Sequence, residues 1–465
     1  MTAEKGTSSK EKVAHLKAMD VSAVWHPFTQ MQEYALEEPV IISSATGVRL
    51  TDIDGNTYLD GYSSMWCNVH GHHVPEIDEA IRSQLGKVAH STLLGLSNIP
   101  AIELAEKLVE ISPEGLNRVF YSDTGACAVE IALKMAFQYW QQRTDPRPEK
   151  TTFLHLNGSY HGDTLGAISV GGIDLFHRSY HPLLFPTLSA PAPHPYRCSF
   201  CAEEAQCNQG CNIAVEEILK RDGHRITACI VEPLVQGAGG MLVHPTGYLE
   251  RISELCRAHD VLLIVDEIAT GFGRTGTMFA CDQEDVRPDL MCLGKGLTGG
   301  YLPVAATLAT DEIHEAFLGE HSETKMFFHG HTFTGNPLGC AAALATISKF
   351  EKDATLEALQ SKIAHLSRAL GKISELDHVG DVRQCGFIAA IELVANKKSK
   401  RPFPVEDRIG ARVCSQARQR GLLVRPLGDT IVIMPPLVID LPDLDMLLQI
   451  VQEAIQSVTG GSAGG

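Results

Sequence analysis

The sequence predicts an α/β protein with a large domain, in which helices cover both faces of a mostly parallel sheet, and a smaller α+β domain. Three observations predict this. Short apolar runs alternate with amphipathic stretches from residue 75 to residue 336, which is typical of a covered parallel sheet. Residues 337–457 instead combine helical periodicity with paired strands. The chain of 465 residues also exceeds the size at which one hydrophobic core keeps growing.

Composition and charge argue against several classes of protein. The formal net charge is −17 and lysine and arginine form no basic run, so we expect no nucleic-acid partner. No apolar run approaches the roughly 18 residues of a membrane span, and the polar N-terminus lacks the apolar core of a signal peptide. We therefore expect a cytoplasmic protein that does not cross a membrane.

The N-terminal part is expected to begin with a mobile arm and then to join the small domain. Residues 1–20 are polar with mixed charge and predict the arm. Two short strands, 48–53 and 57–59, flank an Asp-Gly-Asn turn that indicates a hairpin. We assign residues 21–74 to the small domain.

The large domain, residues 75–336, is predicted from alternation along the chain. Helices are expected over 75–87, 100–111, 126–142 and 246–259, and strands over 117–122, 151–156, 226–232, 261–266, 290–293 and 303–309. A long irregular stretch separates the second strand from about residue 211.

The C-terminal part, residues 337–457, is expected to complete the small domain. Leucine and isoleucine at three- and four-residue spacing predict a long helical region to about residue 374. Strands 379–383, 387–393, 422–425 and 430–434 and helices 405–420 and 441–457 follow. The glycine-rich residues 458–465 predict a flexible tail.

One cluster of cysteines departs from the scattered pattern of the thirteen in the chain. Cys198 and Cys201 have the C-x2-C spacing of a zinc knuckle, whereas Cys207 and Cys211 have three residues between them and no adjoining histidine completes a common pattern. We expect no metal ion here. The alternative that is not an enzyme is an interaction protein that binds a metal ion through this cysteine loop.

Two charged residues at strand ends form the first candidate site. The strand before Asp266 and the strand before Lys295 are both short and apolar, so both residues should lie at the carboxyl edge where open α/β sheets carry their sites. A carboxylate and an amine at one edge can bind a pyridine ring and an aldehyde, as pyridoxal phosphate requires. The alternatives are a helix cap and a solvated loop cation.

Two neighbouring segments could complete such a site. Gly125 and Ala126 stand between a strand and a helix, where small residues let backbone N–H groups approach an anion, although Ser-Asp-Thr before them could equally cap the helix. Tyr160 follows another strand and would place an aromatic ring at the same edge.

A glycine motif invites a nucleotide-binding interpretation. Gly271, Gly273 and Gly276 spell G-x-G-x-x-G, but the motif is offset from its strand and no helical pattern follows. Lys295 is followed by glycine, so the P-loop pattern is absent too. We reject a dinucleotide site and keep a nucleotide-dependent oxidoreductase only as a rival.

Polar residues in the last third of the chain are weaker candidates. Gly330 and Thr332 lie in HGHTFTGNP, where Thr332 offers a hydroxyl, although the segment also fits an ordinary turn. Arg425 closes a strand and could bind a carboxylate in a bidentate way, or form a surface ion pair.

Several motifs together resemble a known family. LIVDEIATGFGRTG, LGKGLTGG about 30 positions later, YSDTGACAVEIALKMA and YHGDT resemble the class III (omega) aminotransferases of pyridoxal phosphate fold type I, from about residue 20 to 457. WHPFTQM, SSMWCNVHGHH, VQGAGGM and LVRPLGDTIVIMPP look most like the members that convert 8-amino-7-oxononanoate to 7,8-diaminononanoate in biotin synthesis.

The resemblance implies a pyridoxal 5'-phosphate enzyme with a ping-pong reaction. Lys295 would hold the cofactor as a Schiff base and then move the proton. Asp266 would pair with the pyridine nitrogen and Tyr160 would cover the ring. Gly125 and Ala126 would bind the phosphate through backbone donors.

The resemblance also implies how substrates and a second subunit contribute. Thr332 would reach the phosphate of the neighbouring subunit, so a homodimer with active sites at the subunit interface is expected. Arg425 would take the carboxylate of the keto acceptor and Arg274 would lie near the substrate. The remaining substrate-site residues by this resemblance are Phe28, Trp66 and Gly330.

Two departures from the family pattern concern the amine donor. Phe28 stands where many members have tyrosine, and Met65-Trp66 stands where many have two tryptophans. Loss of the phenol removes a hydrogen bond at the mouth of the site. S-adenosylmethionine, lysine or another amine therefore remain open, and a broader omega-aminotransferase acting on diamines, 4-aminobutyrate or β-alanine is the alternative.

Overall fold

The N-terminal and C-terminal segments share one small sheet. In this computed structural model, which describes residues 9–198, 200–201 and 209–460, strands β1 (Ile42–Thr46), β2 (Arg49–Asp52) and β3 (Thr57–Asp60) form an antiparallel meander. The hairpin expected here is confirmed. β15 (Leu422–Leu423) adds to β3 in parallel, so the far end of the chain closes this sheet.

The segment expected to be a mobile arm contains a helix, Ser9–Ala23. Lys17 on this helix lies 2.5 Å from Glu38 and 2.7 Å from Asp54, which joins it to the following segment. Mixed charge at helical spacing therefore forms regular structure here. Residues 1–8 are outside the described residues. At the other end, residues 458 and 459 continue the last helix, and 461–465 are outside the described residues.

The large domain contains the helices and strands expected from alternation. Its strands are β4 (Leu116–Ser122), β5 (Thr152–Leu156), β6 (Leu188–Ala190), β7 (Ile226–Val231), β8 (Val235–Gln236), β9 (Leu242–Val243), β10 (Leu262–Asp266), β11 (Leu290–Leu293) and β12 (Ala305–Thr310). Its main helices are Pro75–Leu85, Ile99–Ile111, Gly125–Gln142, Gly210–Asp222 and Tyr248–Ala258. The stretch expected to be irregular contains β6 and the start of Gly210–Asp222.

A seven-stranded sheet in the order β4-β12-β11-β10-β7-β5-β6 forms the centre of this domain. β12 is antiparallel to both neighbours and the other pairs are parallel, so the mostly parallel sheet is confirmed. Within β10, Leu263 and Val265 face one core cluster and Leu262 and Ile264 face the other. Both faces are buried, which explains the continuous apolar runs.

The C-terminal part differs from expectation at two joints. The long helical region is two helices, Pro337–Lys352 and Thr355–Ile373, separated where Ala354 takes a left-handed φ of 45°. The strand expected over 422–425 is divided between β15 and β16 (Arg425–Leu427), which belong to different sheets. β13 (Val379–Cys385), β14 (Ile388–Leu393), β17 (Thr430–Ile433) and β16 form a second four-stranded sheet, and helices Ile409–Gln419 and Leu441–Thr459 complete this part.

Among the described residues, no helix is both long enough and apolar enough to cross a membrane.

Gly386 joins the small domain to the glycine-rich loop after β10. Its φ is +56°, and a Cβ built on it would lie 2.1 Å from the carbonyl carbon of Thr275. Phe387 N donates to Arg274 O at 2.8 Å across the same contact. The backbones approach too closely here for any side chain.

We expect Gly386→Ala to destabilise the protein by about 2–4 kcal/mol, because the methyl group collides with backbone and cannot be accommodated by a rotamer change. Gly428→Ala is the control, since Gly428 has φ +58° and open space around its Cβ. That variant should lose only about 1 kcal/mol from backbone strain. Urea unfolding measures both, and equal losses would contradict the close approach.

Candidate active site

The candidate site lies at the carboxyl edge of β10 and β11. Asp266 is the last residue of β10, and Lys295 follows β11 after Gly294. Both line a cavity of about 410 Å³. The residues around it are Trp66, Gly125, Ala126, Tyr160, His161, Gly162, Asp163, Thr164, Glu232, Asp266, Ile268, Ala269 and Lys295. The two strand-end residues singled out from sequence are therefore brought together.

Burial and the neighbouring carboxylates have opposite effects on the pKa of the Lys295 amine. Burial lowers its pKa from the ordinary value of a lysine, while the nearby carboxylates of Asp266 and Glu232 act in the opposite direction. The Nζ atom lies 5.2 Å from the centre of the Trp66 ring. A lowered pKa makes the neutral, nucleophilic form of the amine available closer to neutral pH.

Asp266 is held from two sides. Its Oδ2 lies 2.7 Å from Nδ1 of His161, and its Oδ1 accepts a hydrogen bond from the backbone N–H of Ile268 at 3.1 Å. Asp266 and His161 are both almost completely buried. These contacts fix the orientation of the carboxylate inside the cavity.

A second buried carboxyl group, Glu232, stands beside this pair. Its oxygens accept hydrogen bonds from the backbone N–H groups of Tyr160 at 2.9 Å and Gly237 at 2.8 Å. Burial raises the pKa of Glu232 to about 7, and the negative charge of Asp266 adds to the effect. Glu232 thus fixes the backbone of the loop that carries Tyr160.

Small residues form one end of the cavity. The helix Gly125–Gln142 begins there, and Thr124 caps it by accepting a hydrogen bond from Cys127 N at 3.4 Å. A Cβ on Gly162 would lie 2.4 Å from Cβ of Ala126, so this loop and the helix start are in close contact. The N-terminus of an 18-residue helix at a cavity wall favours an anion.

Tyr160 lies on the cavity wall as expected. Its hydroxyl donates to Asp163 at 2.7 Å, and its ring meets that of Phe176 edge to face at 6.4 Å. Burial and this carboxylate raise the pKa of the phenol. Tyr160 is therefore held in place by Asp163.

Phe28 and Arg425 line a second, wider cavity of about 970 Å³. Phe28 is more than half exposed, has a left-handed φ of 51° and contacts Phe176 edge to face at 5.2 Å. The Nε atom of Arg425 is buried and has no hydrogen-bond partner in the part of the chain that the structure describes. The two residues expected from sequence at the substrate site thus border one opening.

Trp66 sits at the end of a left-handed helical turn. Ser63, Ser64, Met65 and Trp66 have φ values of 55°, 46°, 75° and 68°, and none is glycine. Trp66 N donates to Tyr62 O at 2.8 Å, which closes the turn. Each left-handed residue of this kind costs about 1–2 kcal/mol, so the turn persists because its surroundings hold it.

Arg274 lines neither cavity, whereas the resemblance to the family implied a position near the substrate. Its guanidinium donates to the backbone oxygens of Pro435 and Asn68, each at 2.8 Å, and it is completely buried. Burial lowers its pKa to about 10. These two hydrogen bonds hold the side chain between Asn68 and the segment around Pro435.

Thr332 and Gly330 are exposed and contribute nothing to the cavity of their own chain. Phe328 and Phe333 beside them are also exposed, at 70% and 57%. Cys207, in the cysteine cluster, lies outside the described residues. Among the described residues, no group of three or more histidine, cysteine, aspartate or glutamate side chains is arranged to hold a metal ion.

Glu232 and His161 are among the cavity residues that were missed from sequence. Glu232 ends β7's apolar run in the same way that Asp266 ends its own strand, so the strand-end rule could have found it. His161 stands next to Tyr160 in the segment YHGDT. Its pairing with Asp266 spans 105 positions, which no local pattern signals.

Three buried polar atoms on the cavity wall have no hydrogen-bond partner among the described residues: Trp66 Nε1, His161 Nε2 and Thr164 Oγ1. Buried polar groups are nearly always satisfied, so these atoms indicate a polar ligand. With Lys295, Asp266 and the helix N-terminus, they suit a flat group that carries an aldehyde, a ring nitrogen and a phosphate. The residues present therefore fit pyridoxal phosphate.

Fold and cavity define the class of pyridoxal-phosphate enzymes of fold type I. The crystal structure of adenosylmethionine-8-amino-7-oxononanoate aminotransferase from Methanocaldococcus jannaschii matches with a TM-score of 0.91 at 46% identity, covering 96% of this chain and 99% of that one. The chain belongs to the aminotransferase class-III family, whose model matches residues 31–455, and is a transaminase that depends on pyridoxal 5'-phosphate.

Two further relatives differ in how similar they are. A protein of Nitratidesulfovibrio vulgaris, also named adenosylmethionine-8-amino-7-oxononanoate aminotransferase, is 53% identical over 454 residues, which cover 98% of this chain and 84% of the relative. A thermostable (S)-enantioselective omega-transaminase from Thermomicrobium roseum has a TM-score of 0.90 at 35% identity, covering 96% of this chain and 98% of that one.

In the cofactor-free protein, we expect the Lys295 amine to react with acetic anhydride at a lower pH than an ordinary lysine, since burial lowers its pKa. Asp266→Asn should move this reactivity to still lower pH, because the carboxylate that favours the protonated amine is lost. Mass spectrometry of acetylation rates against pH measures both, with exposed Lys398 as the internal reference. An identical pH profile in the variant would contradict the electrostatic coupling.

Proposed function

We propose that this transaminase transfers an amino group to 8-amino-7-oxononanoate and forms 7,8-diaminononanoate, a step of biotin synthesis. The observation that carries the proposal is identity of 53% and 46% to two proteins named for this reaction, each over nearly the whole chain. A site with one lysine, one paired carboxylate and a carboxylate-binding arginine at the opening supports the same chemistry.

Pyridoxal phosphate, when bound, supplies an aldehyde that accepts the amine and a ring that withdraws electrons. Lys295 is the residue that holds the cofactor and then takes and returns the proton of the substrate carbon, for which its lowered pKa suits it. Asp266, oriented by His161, keeps a proton on the ring nitrogen. Tyr160 covers the ring, and Gly125 and Ala126 bind the phosphate through their backbone N–H groups.

Arg425 binds the carboxylate of the keto acceptor. Arg425 lines a cavity of about 970 Å³, which is large enough for a nine-carbon chain, and its buried Nε has no hydrogen-bond partner among the described residues. Phe28 lines the same cavity as this arginine, and Trp66 lines the cavity that contains Lys295. Arg274 acts through Asn68 and Pro435 and not on the substrate.

The active form is a homodimer in which Thr332 of each chain binds the cofactor phosphate of the other. Its exposure and that of the neighbouring Phe328 and Phe333 support this arrangement. Residues 75–336 form the cofactor-binding domain, and 21–74 with 337–457 form the small domain. A cytoplasmic location stays a prediction.

The second candidate is a broader omega-aminotransferase, which the match to the Thermomicrobium roseum enzyme favours. This activity is the second candidate because that match has 35% identity, against 53% and 46% for the proteins named above. The names of the nearer relatives point to S-adenosylmethionine as amine donor. Phe28 cannot donate the hydrogen bond that a tyrosine would make, so lysine is kept as a competing donor.

Single half-reactions distinguish these activities. We expect S-adenosylmethionine or lysine to bleach the yellow absorbance of the holoenzyme, and 8-amino-7-oxononanoate to restore it with release of 7,8-diaminononanoate, identified by mass spectrometry. 4-Aminobutyrate and β-alanine should react at least about tenfold more slowly, as the missing contacts raise the barrier. Restoration by simple aldehydes but not by 8-amino-7-oxononanoate would refute the proposed acceptor.

An arginine variant tests the carboxylate contact within the same assay. Arg425→Met should raise KM for 8-amino-7-oxononanoate about tenfold to a hundredfold, the effect of losing a charged hydrogen bond. A diamine donor that lacks a carboxylate is the control and should be unaffected. Equal losses with both substrates would contradict the role of Arg425.

Thr332→Val should weaken cofactor binding about tenfold, because one hydrogen bond to a charged phosphate is lost. Equilibrium dialysis with pyridoxal phosphate measures this, and sedimentation velocity should give the mass of a dimer. Thr334→Val is the control, since the Thr334 hydroxyl accepts a hydrogen bond within its own loop from His331 N at 2.9 Å. A monomer with unchanged cofactor affinity would refute the shared site.

A further inference from the structure

We infer that Asp60, His72 and Arg274 hold the left-handed turn Ser63–Trp66 in place and thereby position the Trp66 ring beside Lys295. In that position the ring forms the part of the cavity wall that contacts the amine donor, which we call the amine-binding face. These three are positioning residues. The inference rests on the proposed function only for its kinetic test.

Four consecutive non-glycine residues with φ between 46° and 75° are the first observation. Such residues normally avoid this region because Cβ meets the carbonyl oxygen. Sparsely populated conformations persist where the surroundings over-determine them and are concentrated at functional sites. Here the strained residues lead directly to Trp66, which lines the cavity and lies above the Lys295 amine.

Asp60 holds the turn from its N-terminal side. One carboxylate oxygen accepts a hydrogen bond from Ser64 N and the other from Ser64 Oγ, each at 2.8 Å. The carboxylate is fully buried, and its only other partner among the described side chains is His72. A buried carboxylate with three donors is strongly directional, so it fixes the position of Ser64.

His72 links the Asp60 carboxylate to Asn68, which follows the turn. Its Nε2 donates to Asp60 at 3.0 Å, and its Nδ1 accepts from the side-chain amide of Asn68 at 3.1 Å. The Oδ1 of Asn68 accepts from Gly71 N at 2.7 Å, which fixes the orientation of the amide. The backbone oxygen of Asn68 accepts from Arg274 at 2.8 Å. The turn is thus held at both ends.

A third contact joins the turn to the C-terminal segment around Met434. The Ser63 hydroxyl donates to Met434 O at 2.6 Å, and Met434 N donates to Gly61 O at 2.9 Å. Arg274 also donates to Pro435 O, in the same segment. The position of Trp66 therefore depends on contacts from both the glycine-rich loop and the C-terminal segment.

Substitutions at Ser64 separate strain from ordinary packing. Ser64→Ala and Ser64→Gly both remove the hydroxyl bonded to Asp60, but only glycine adopts a φ of +46° without steric cost. We expect Ser64→Ala to release Trp66 and Ser64→Gly to behave nearly as the unmodified chain. In an Asp60→Asn background, added Ser64→Gly should restore much of what Asp60→Asn loses.

The first readout is acrylamide quenching of Trp66 fluorescence in the cofactor-free protein, taken as the difference between each variant and the same variant with Trp66→Phe. Asp60→Asn and Ser64→Ala should raise the quenching constant of this nearly buried ring about threefold. The measurement needs neither substrate nor cofactor, so its failure is distinguishable from failure of the proposed function.

The second readout is the split between KM and kcat in the holoenzyme. Asp60→Asn and Ser64→Ala should raise KM for the amine donor about tenfold and change kcat less than about twofold, because Trp66 shapes the binding face and does not itself transfer protons. Asp52→Asn is the matched control. Asp52 is also a buried carboxylate, with four hydrogen bonds in the β2–β3 hairpin, but none reaches the cavity.

Two results would overturn the inference. One is equal behaviour of Ser64→Ala and Ser64→Gly in both readouts. The other is an Asp60→Asn variant that moves KM and quenching no more than Asp52→Asn does. If Asp60→Asn does not fold, the Ser64 pair alone decides.

Discussion

The parallel pairing of β10 with β11 is the constraint on which the site depends. Asp266 is paired with Cys292, so Lys295 leaves the sheet three residues beyond the level of the carboxylate. Because side chains alternate along a strand, a shift of one residue would turn Asp266 into the opposite core. Burial of apolar residues on both faces fixes this register, and the same burial that stabilises the sheet thereby sets the distance between two reactive groups.

Burial also sets the charges in the cavity. Lys295, Asp266 and Glu232 line one cavity, and the two carboxyl groups are buried there. Burial lowers the pKa of the amine and raises that of Glu232 to about 7. The folded chain thus binds a proton at Glu232 more tightly than the unfolded chain does. This contribution to folding stability is complete below the ordinary pKa of 4.5 and is lost as the pH rises to about 7.

Sequence predicted the parts of the site that follow from chain direction. Asp266 and Lys295 each follow a short apolar strand, and the carboxyl ends of such strands meet at one edge. Arg274 could not be placed, because whether a guanidinium meets a substrate or two carbonyl oxygens depends on segments 161 and 206 positions away. The turn at Ser63–Trp66 was equally hidden, since it contains no glycine and its strain is held by contacts made elsewhere.

The parallel pairing of β15 with β3 has a consequence for how the chain folds as it is synthesised. Residues 57–60 leave the ribosome early, but their outer neighbour, Leu422–Leu423, comes more than 350 residues later. The large domain, which contains Lys295, can fold before the strand that pairs with β3 has been synthesised. The opening of the site, with Phe28 from one end of the chain and Arg425 from the other, is therefore assembled only when translation is nearly complete.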